Sequence, residues 1–551
     1  MTTIVLRTFN GMVKGLNPEL LGDEFAQDAV NTKLIYGDLR PWKETQTITT
    51  PTKAGTKQTI YRFGENETDE SRYWFTWTTD VDVVRAPIDN DTTERTYFTG
   101  DGYPKVTTAA RATTDTNYPS NAYRLGVPPP NVSTVVLGVS GSPTSDTAIA
   151  SSVAYVITYV SSVGEESAPS DPTDVVSFQP GQTIALTNLP TGSFASPYNS
   201  LSNVDVATKR IYRSNAGSKG TDFQFVAEIP LAQASYNDSA LAEDLQEVVE
   251  TWGWVPPPES MVGLKLMANG IGVGFSGNTL YLSEPFALYA YPIAYQISTD
   301  SPIVGLGAFG QSIFVGTKAN PYILSGTDPA SLTMIKLEMK QACVSKRSIV
   351  EMSGGVVYAS PDGIVRVGPD GISMLTTGLI PRDEWQEYNP SSIHAYELDG
   401  RYFAFYDNGT EQGCLVFEFA MKPSIHKLDL YATAGYNDRL RDALYLAVDG
   451  DIVKWDHGTD NLTMTWRSKK FRTPYQQNMG AVKIGADAYP VTFKLYANGS
   501  LKSTLSIGAE QVYKLPAGYK ADRFEFEVVA SDQINYIAVS ETVRGIRQVN
   551  V

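Results

Sequence analysis

The chain has 551 residues, 42% of them apolar and 11% aromatic, and carries a formal net charge of −16. That length exceeds what one hydrophobic core serves, so two to four domains are expected, and the frequent aromatics exclude a disordered Gly/Pro-rich chain. The acidic balance, with no basic stretch, excludes a protein built to grip nucleic acid, because such grip comes from Lys and Arg neutralising phosphates.

The profile leans toward β-branched residues, with Tyr (31), Gly (45) and Pro (32) abundant, which suits pleated strands punctuated by turns and predicts an all-β fold. Two cysteines far apart, Cys343 and Cys414, exclude a disulfide-stapled scaffold and leave a single disulfide open. The opening MTTIVLRTFNGM lacks the basic start and apolar run of a signal peptide. No window approaches the ~18 apolar residues that span a bilayer, so the expectation is a soluble product of the cytosol.

In chain order, residues 1–56 read as an extended leader with a short helix at Asp23–Thr32 (DEFAQDAVNT), Asp23 placed to cap it. Residues 57–127 carry four short aromatic runs, 58–63, 72–77, 81–86 and 96–99, and predict one four-stranded unit. Pro128-Pro129-Pro130 and Pro256-Pro257-Pro258 bracket an inserted module over 128–258. Its runs AYVITYVS (154–161), TKRIYRS (208–214) and FQFVAEI (223–229) alternate between turns as in a small β-sandwich. ALAEDLQEVVET (240–251) before the second Pro run has helical character.

Over 259–464 strand cores fall at 271–275, 312–317, 356–360, 402–406 and 444–448, separated by roughly 42–46 residues, the period of a four-stranded propeller blade. Each is followed by a turn and a second strand; Pro361-Asp362-Gly363 is one such turn, Pro fixing φ and Gly accepting φ > 0. With the unit at 57–127 as the first blade, this predicts a β-propeller of about six blades, interrupted by the inserted sandwich. A stacked array of sandwiches is the rival fold. From 465 to 551 the repeat gives way to cleanly alternating strands with an Asn498-Gly499 hairpin, a C-terminal β-sandwich.

No catalytic, cofactor-binding or metal-binding constellation emerges. Gly305-Leu306-Gly307-Ala308-Phe309-Gly310 matches a dinucleotide fingerprint in letters, but a strand follows where the fingerprint needs a helix, so these read as glycines of a blade turn. His394, His426 and His457 lack metal-ligand spacing and stand in no nucleophile-elbow pattern. Asp80 and Asp82 share one strand face, and Asp89-Asn90-Asp91…Glu94 offers loop oxygens without EF-hand spacing, a solvated turn first and a calcium site second. Trp252 and Trp254 suit either packing at the module junction or stacking on sugars.

Within the insert, YVSSVGEESAPS, KRIYRSNAG and FVAEI…SYNDS resemble fibronectin type III repeats. Four further stretches together resemble the tail nozzle (tail tubular) proteins of short-tailed bacteriophages. They are Phe9–Gly11 with Leu16–Pro18, Ala26–Asn31 and Gly37–Trp42; Trp74–Ala86 with Thr93–Gly102; Tyr123–Pro128; and Trp466–Lys469. The resemblance implies a non-enzymatic virion protein, assembled in the host cytoplasm, that forms a hexameric ring around the DNA exit channel. It implies a portal-adaptor protein above and needle, plug or fibre proteins below, with genomic DNA passing through the lumen unbound. A host-glycan-binding or glycan-cleaving tail propeller is the alternative, and an adhesin using the fibronectin-like module a more distant one.

Overall fold

The computed structural model describes residues 2–547 apart from 35–36, 65–66, 146, 195, 218–219 and 421. The protein is all-β, 44% strand and 6% helix, divided into many small sheets. Among the described residues no helix is long and apolar enough to cross a membrane.

Among the described residues seven of the sheets outside the insert, the sixth being part of a larger one, succeed one another along the chain. Sheet 1 is the pair Thr59–Arg62 and Trp74–Trp77. Sheet 2 runs Asp82–Arg85, Thr96–Thr99, Lys105–Thr107, Tyr123–Arg124. Sheets 3, 4 and 5 start at Val262–Leu266, Ile303–Phe309 and Val350–Met352, each a four-stranded antiparallel meander. Sheet 6 starts at His394–Leu398 and ends with Ser424–Leu428. Sheet 7 has Ala434–Asp438, Ala443–Val448 and Asp451–Lys454, and takes its fourth strand, Gln46–Thr49, from the leader.

The four aromatic runs of 57–127 thus do not make one unit. Among the described residues Trp74–Trp77 pairs only with Thr59–Arg62, and on its far side Thr76 N–H donates to Tyr118 O of the 113–120 loop (3.1 Å). Asp82–Arg85 begins a new sheet instead.

Successive sheets share apolar clusters. Phe75, Trp77, Val81 and Phe98 join sheets 1 and 2, and Val84, Tyr97, Met261 and Leu264 join sheets 2 and 3. Val273 and Val315 join sheets 3 and 4, and Phe314 and Tyr358 stack between sheets 4 and 5 at 4.8 Å. Val357 and Tyr402 lie in the cluster between sheets 5 and 6, Phe403 and Leu444 between 6 and 7, and Ile60, Trp74 and Tyr445 between 7 and 1. Covered on both faces, inner strands become continuous apolar runs, as in Arg401–Asp407 (RYFAFYD), buried from Arg401 to Tyr406.

The expected helix at Asp23–Thr32 is a strand, Ala26–Val30. Its spacing of Phe25, Ala26, Ala29 and Val30 fits a helical face, but the segment lies between Ser424–Leu428 and Met464–Ser468 and bonds to both. Tertiary pairing overrides local pattern here. Asp23 caps nothing and faces Lys469 at 3.3 Å. This strand fuses sheet 6 to the C-terminal strands, giving one ten-stranded sheet. Against it lies a second sheet of Ala481–Ala486, Tyr513–Lys514, Ile534–Ser540 and the leader strand Thr3–Leu6. Val491–Ala497 shows the expected alternation, its Val491, Phe493, Leu495 and Ala497 buried.

The insert forms three small sheets, with Val136–Ser140, Thr183–Thr187 and Ser235–Asp238 facing Tyr155–Val160, Thr208–Gly217 and Gly220–Pro230 around Tyr155, Ile157, Ile184, Leu186 and Ile211. The expected helix at 240–251 shrinks to one 3-10 turn, Ala242–Asp244. Beyond it the backbone runs beside Gly220–Pro230, where Gln246 N–H donates to Phe225 O (3.1 Å) and Val249 N–H to Phe223 O (2.9 Å). An open edge there is satisfied better by an extended segment than by a helix.

Candidate functional site: a cavity crossed by polar ties

The first strands of the seven sheets, or the residues just before them, line one cavity of about 360 Å³. Sheet 1 contributes Gln58–Tyr61, sheet 2 Asp80–Val83, sheet 3 Lys265, sheet 4 Leu306, sheet 5 Lys346, Arg347 and Glu351, sheet 6 Tyr396 and Glu397, and sheet 7 Tyr436, Asn437 and Arg439.

Polar ties cross it. Lys346 Nζ lies 2.5 Å from Asp82 Oδ2 and 3.1 Å from Asp80 Oδ2, joining sheet 5 to sheet 2. Burial alone depresses this ammonium; the two carboxylates more than offset it and hold it above the usual lysine value. Arg347 Nη2 donates to Gln58 O (2.8 Å) and Thr433 O (2.7 Å), reaching sheets 1 and 7. Arg439 Nη2 donates to Glu351 O (2.9 Å), while Glu351 Oε1 accepts from Ala308 N–H (3.0 Å). Asn437 Nδ2 donates to Glu397 O (2.7 Å) and Oε2 (3.0 Å).

The Gly-x-Gly-x-x-Gly stretch acquires its meaning here. Gly305 and Gly307 lie inside the strand Ile303–Phe309, and only Gly310, at φ +54, sits in a turn. A Cβ on Gly305 would fall 2.6 Å from Ile349 Cδ1 and 2.9 Å from Lys346 Cγ. The missing side chain leaves the path by which Lys346 reaches the aspartates. The sequence placed Asp80 and Asp82 on one face but gave no sign of their cation, 264 residues beyond Asp82.

The other candidates resolve as packing. His394 is buried and stacks on Phe405 at 5.3 Å, and burial depresses its imidazole well below the ordinary range. His426 has Ser424 Oγ and Thr32 Oγ1 each at 3.4 Å and no carboxylate; burial lowers it to about 3. His457 Nδ1 lies 2.8 Å from the Trp455 carbonyl oxygen. Asp91 accepts from the Thr93 hydroxyl (2.6 Å) and from Arg95 N–H and Nε (both 3.0 Å). Burial works against its charge, yet these bonds pull it down to about 2, so it closes its own loop. Among the described residues no three His, Cys, Asp or Glu side chains gather as metal ligands. Trp254 packs on Tyr289 of the sheet 3 region at 5.9 Å, and Trp252, exposed, on Phe223 of the module at 6.0 Å. Cys343 and Cys414 are buried and unpaired, and burial pushes the Cys343 thiol up to about 12.

The four stretches singled out in the sequence meet in pairs. The first and the last pair in the ten-stranded sheet, Ala29 opposite Trp466 and Asp28 opposite Arg467. Phe9 meets Trp466 edge-on at 5.1 Å, and Leu39 and Trp42 fill the cores behind it. The second and third share sheet 2, where Lys105–Thr107 lies between Thr96–Thr99 and Tyr123–Arg124, the strand that leads into the insert.

No family model matches the chain, and no curated protein matches it significantly. Among solved structures it is similar to the extracellular domain of the hybrid two-component system BT4673 from B. thetaiotaomicron, at 9% identity, TM-score 0.26, over 88% of this chain and 50% of that one. It is also similar to the N-terminal domain of Nup159, at 10% identity, TM-score 0.23, over 68% of this chain and 95% of that one. The chain spans half the length of the first of these structures.

Proposed function

We propose that the chain is a structural subunit of a short-tailed phage's tail nozzle, in which copies form a ring around the DNA exit channel. In this reading the seven sheets are blades of one propeller, the pair at 59–77 being a short seventh beyond the six expected. Sheet 7, completed by the leader strand Gln46–Thr49, joins the two ends of the blade series. The observation that carries the reading is the set of four stretches resembling nozzle proteins, of which the first and last pair with each other and the second and third share one sheet.

The cross-ties bear on where a genome could pass. A cavity of about 360 Å³ spanned by Lys346, Arg347 and Arg439 is no conduit, so the lumen of this reading lies between copies and not through one. Its wall is acidic, in keeping with the net charge of −16, and repels a polyanion instead of holding it. The test is electron microscopy of the particle containing the protein: a ring with an axial hole is expected. A subunit that stays single beside its neighbours in the particle would overturn the reading.

A further inference from the structure

The segments that enter and leave the insert lie side by side. Gly126, at φ +90, lies where an added Cβ would be 2.6 Å from Pro256 Cβ, so the entering and leaving segments touch. Beyond this neck the module meets sheet 2 and the segment joining its last two strands through Arg124 N–H, which donates to Asn203 O (2.8 Å), through Arg111 Nη2, which donates to Ser202 O (3.2 Å), and through Glu165. Tyr97 Oη donates to Glu165 Oε1 at 2.9 Å, and Arg95 Nη1 stands 3.9 Å from the same oxygen. Glu165 is 4% exposed.

Its surroundings do not provide a cation of its own. Arg95 is held by Asp91, which is ionised, so one positive charge is shared between two carboxyls. From the module, Asp205 adds a negative charge, while Glu166 is matched by Arg210 at 2.6 Å and by the Tyr212 hydroxyl at 2.7 Å. From the sheet 3 region comes only Tyr289, whose hydroxyl accepts from Glu166 N–H at 3.5 Å. A buried carboxylate in such a place is costly unless it takes up a proton.

We propose that Glu165 is a proton-operated latch: the module stays docked on sheet 2 while this carboxyl is protonated, and loosens about the Gly126–Pro256 neck when it ionises. Burial, only partly offset by Tyr97 and Arg95, pushes the docked carboxyl up to about 7. Undocked, it returns to the ordinary value near ~4.3. Docking therefore binds a proton between these values. It is strongest below the undocked value, weakens as pH rises through the window, and levels off above about 7, with a total change of several hundredfold.

The experiment uses the full chain with Ser145→Cys in the module and Ser331→Cys on sheet 4, both exposed, carrying a donor and an acceptor dye insensitive to pH. The buried Cys343 and Cys414 leave the labelling selective. Energy transfer is expected to change between pH 5 and pH 8. In Glu165→Gln, which mimics the protonated carboxyl, it should hold the pH 5 value throughout. Asp91→Asn, which releases Arg95 to Glu165, should move the midpoint down, and Tyr97→Phe should move it up. Transfer that is equal at both pH values in the parent, a Glu165→Gln chain that follows the parent, or midpoints unmoved in both other variants would overturn the latch.

Discussion

The leader and the insert are attached to the protein in opposite ways. The leader is stitched: Thr3–Leu6 pairs with Ile534–Ser540, Ala26–Val30 bridges sheet 6 and the C-terminal strands, and Gln46–Thr49 completes sheet 7. The insert, with about 130 residues, builds its own core and touches the rest through a neck and one polar face. Independence in this molecule therefore follows from where strands find partners and not from segment length. A long module can be peripheral and a short leader indispensable.

The largest effect that separates the two should come from deletion. Removing residues 2–49 is expected to abolish cooperative unfolding seen by circular dichroism, because three sheets lose a strand each and the pair Thr32–Lys33 with Arg40–Pro41 is lost outright. Replacing 128–255 by a short Gly-Ser linker should leave one intact transition. If the leaderless chain unfolds as cooperatively as the parent, the contrast fails. Next, Trp466→Ala should cost about 3–5 kcal/mol in denaturant titration, since Trp466 is fully buried and its indole N–H donates to Asn10 O at 3.0 Å. Trp254→Ala at the neck, where the ring is half-buried, should cost about 1 kcal/mol or less.

Lys346→Met tests the ties across the cavity, between these extremes. It strands Asp82, whose side chain is 10% exposed, and roughly 3 kcal/mol of stability should go with it. The smallest effect is a slope. His426, packed where the leader meets sheet 6, is lowered to about 3 in the folded state, so the unfolded chain takes up a proton first as pH falls. Stability should be flat above its unfolded value near ~6.5 and decline as pH drops from there toward 3. His426→Leu should flatten that decline. The stitched region thus weakens with acid, while the neck tightens, and pH titration of the two by separate probes would sharpen the comparison.

The sequence made local features legible and distant partners illegible. Pro361-Asp362-Gly363 announced the hairpin between Gly355–Ser360 and Gly363–Gly368 because its chemistry is contained in three residues. Val491–Ala497 announced its buried face by alternation alone. Ala26–Val30 misled because two strands that claim it lie some 400 residues away, and its apolar spacing suits a helix equally well. At the cavity, Asp80 and Asp82 could be put on one face, whereas Lys346 and the clearance made by Gly305 need the sheets to be assembled first. Glu165 carries no sequence signal, since nothing in GEESAP says that Tyr97 will cover it.

Stitching also sets a schedule. Thr3–Leu6, Ala26–Val30 and Gln46–Thr49 are synthesised first, but their partners lie at 534–540, 464–468 and 451–454. While the chain grows, these strands wait with unpaired edges, and pairing at such separation is slow. The insert, whose pairings all close within its own span, is free to fold as it leaves the ribosome. A chain halted before residue 424 would keep every strand pairing of its insert and lack the partners of all three leader strands.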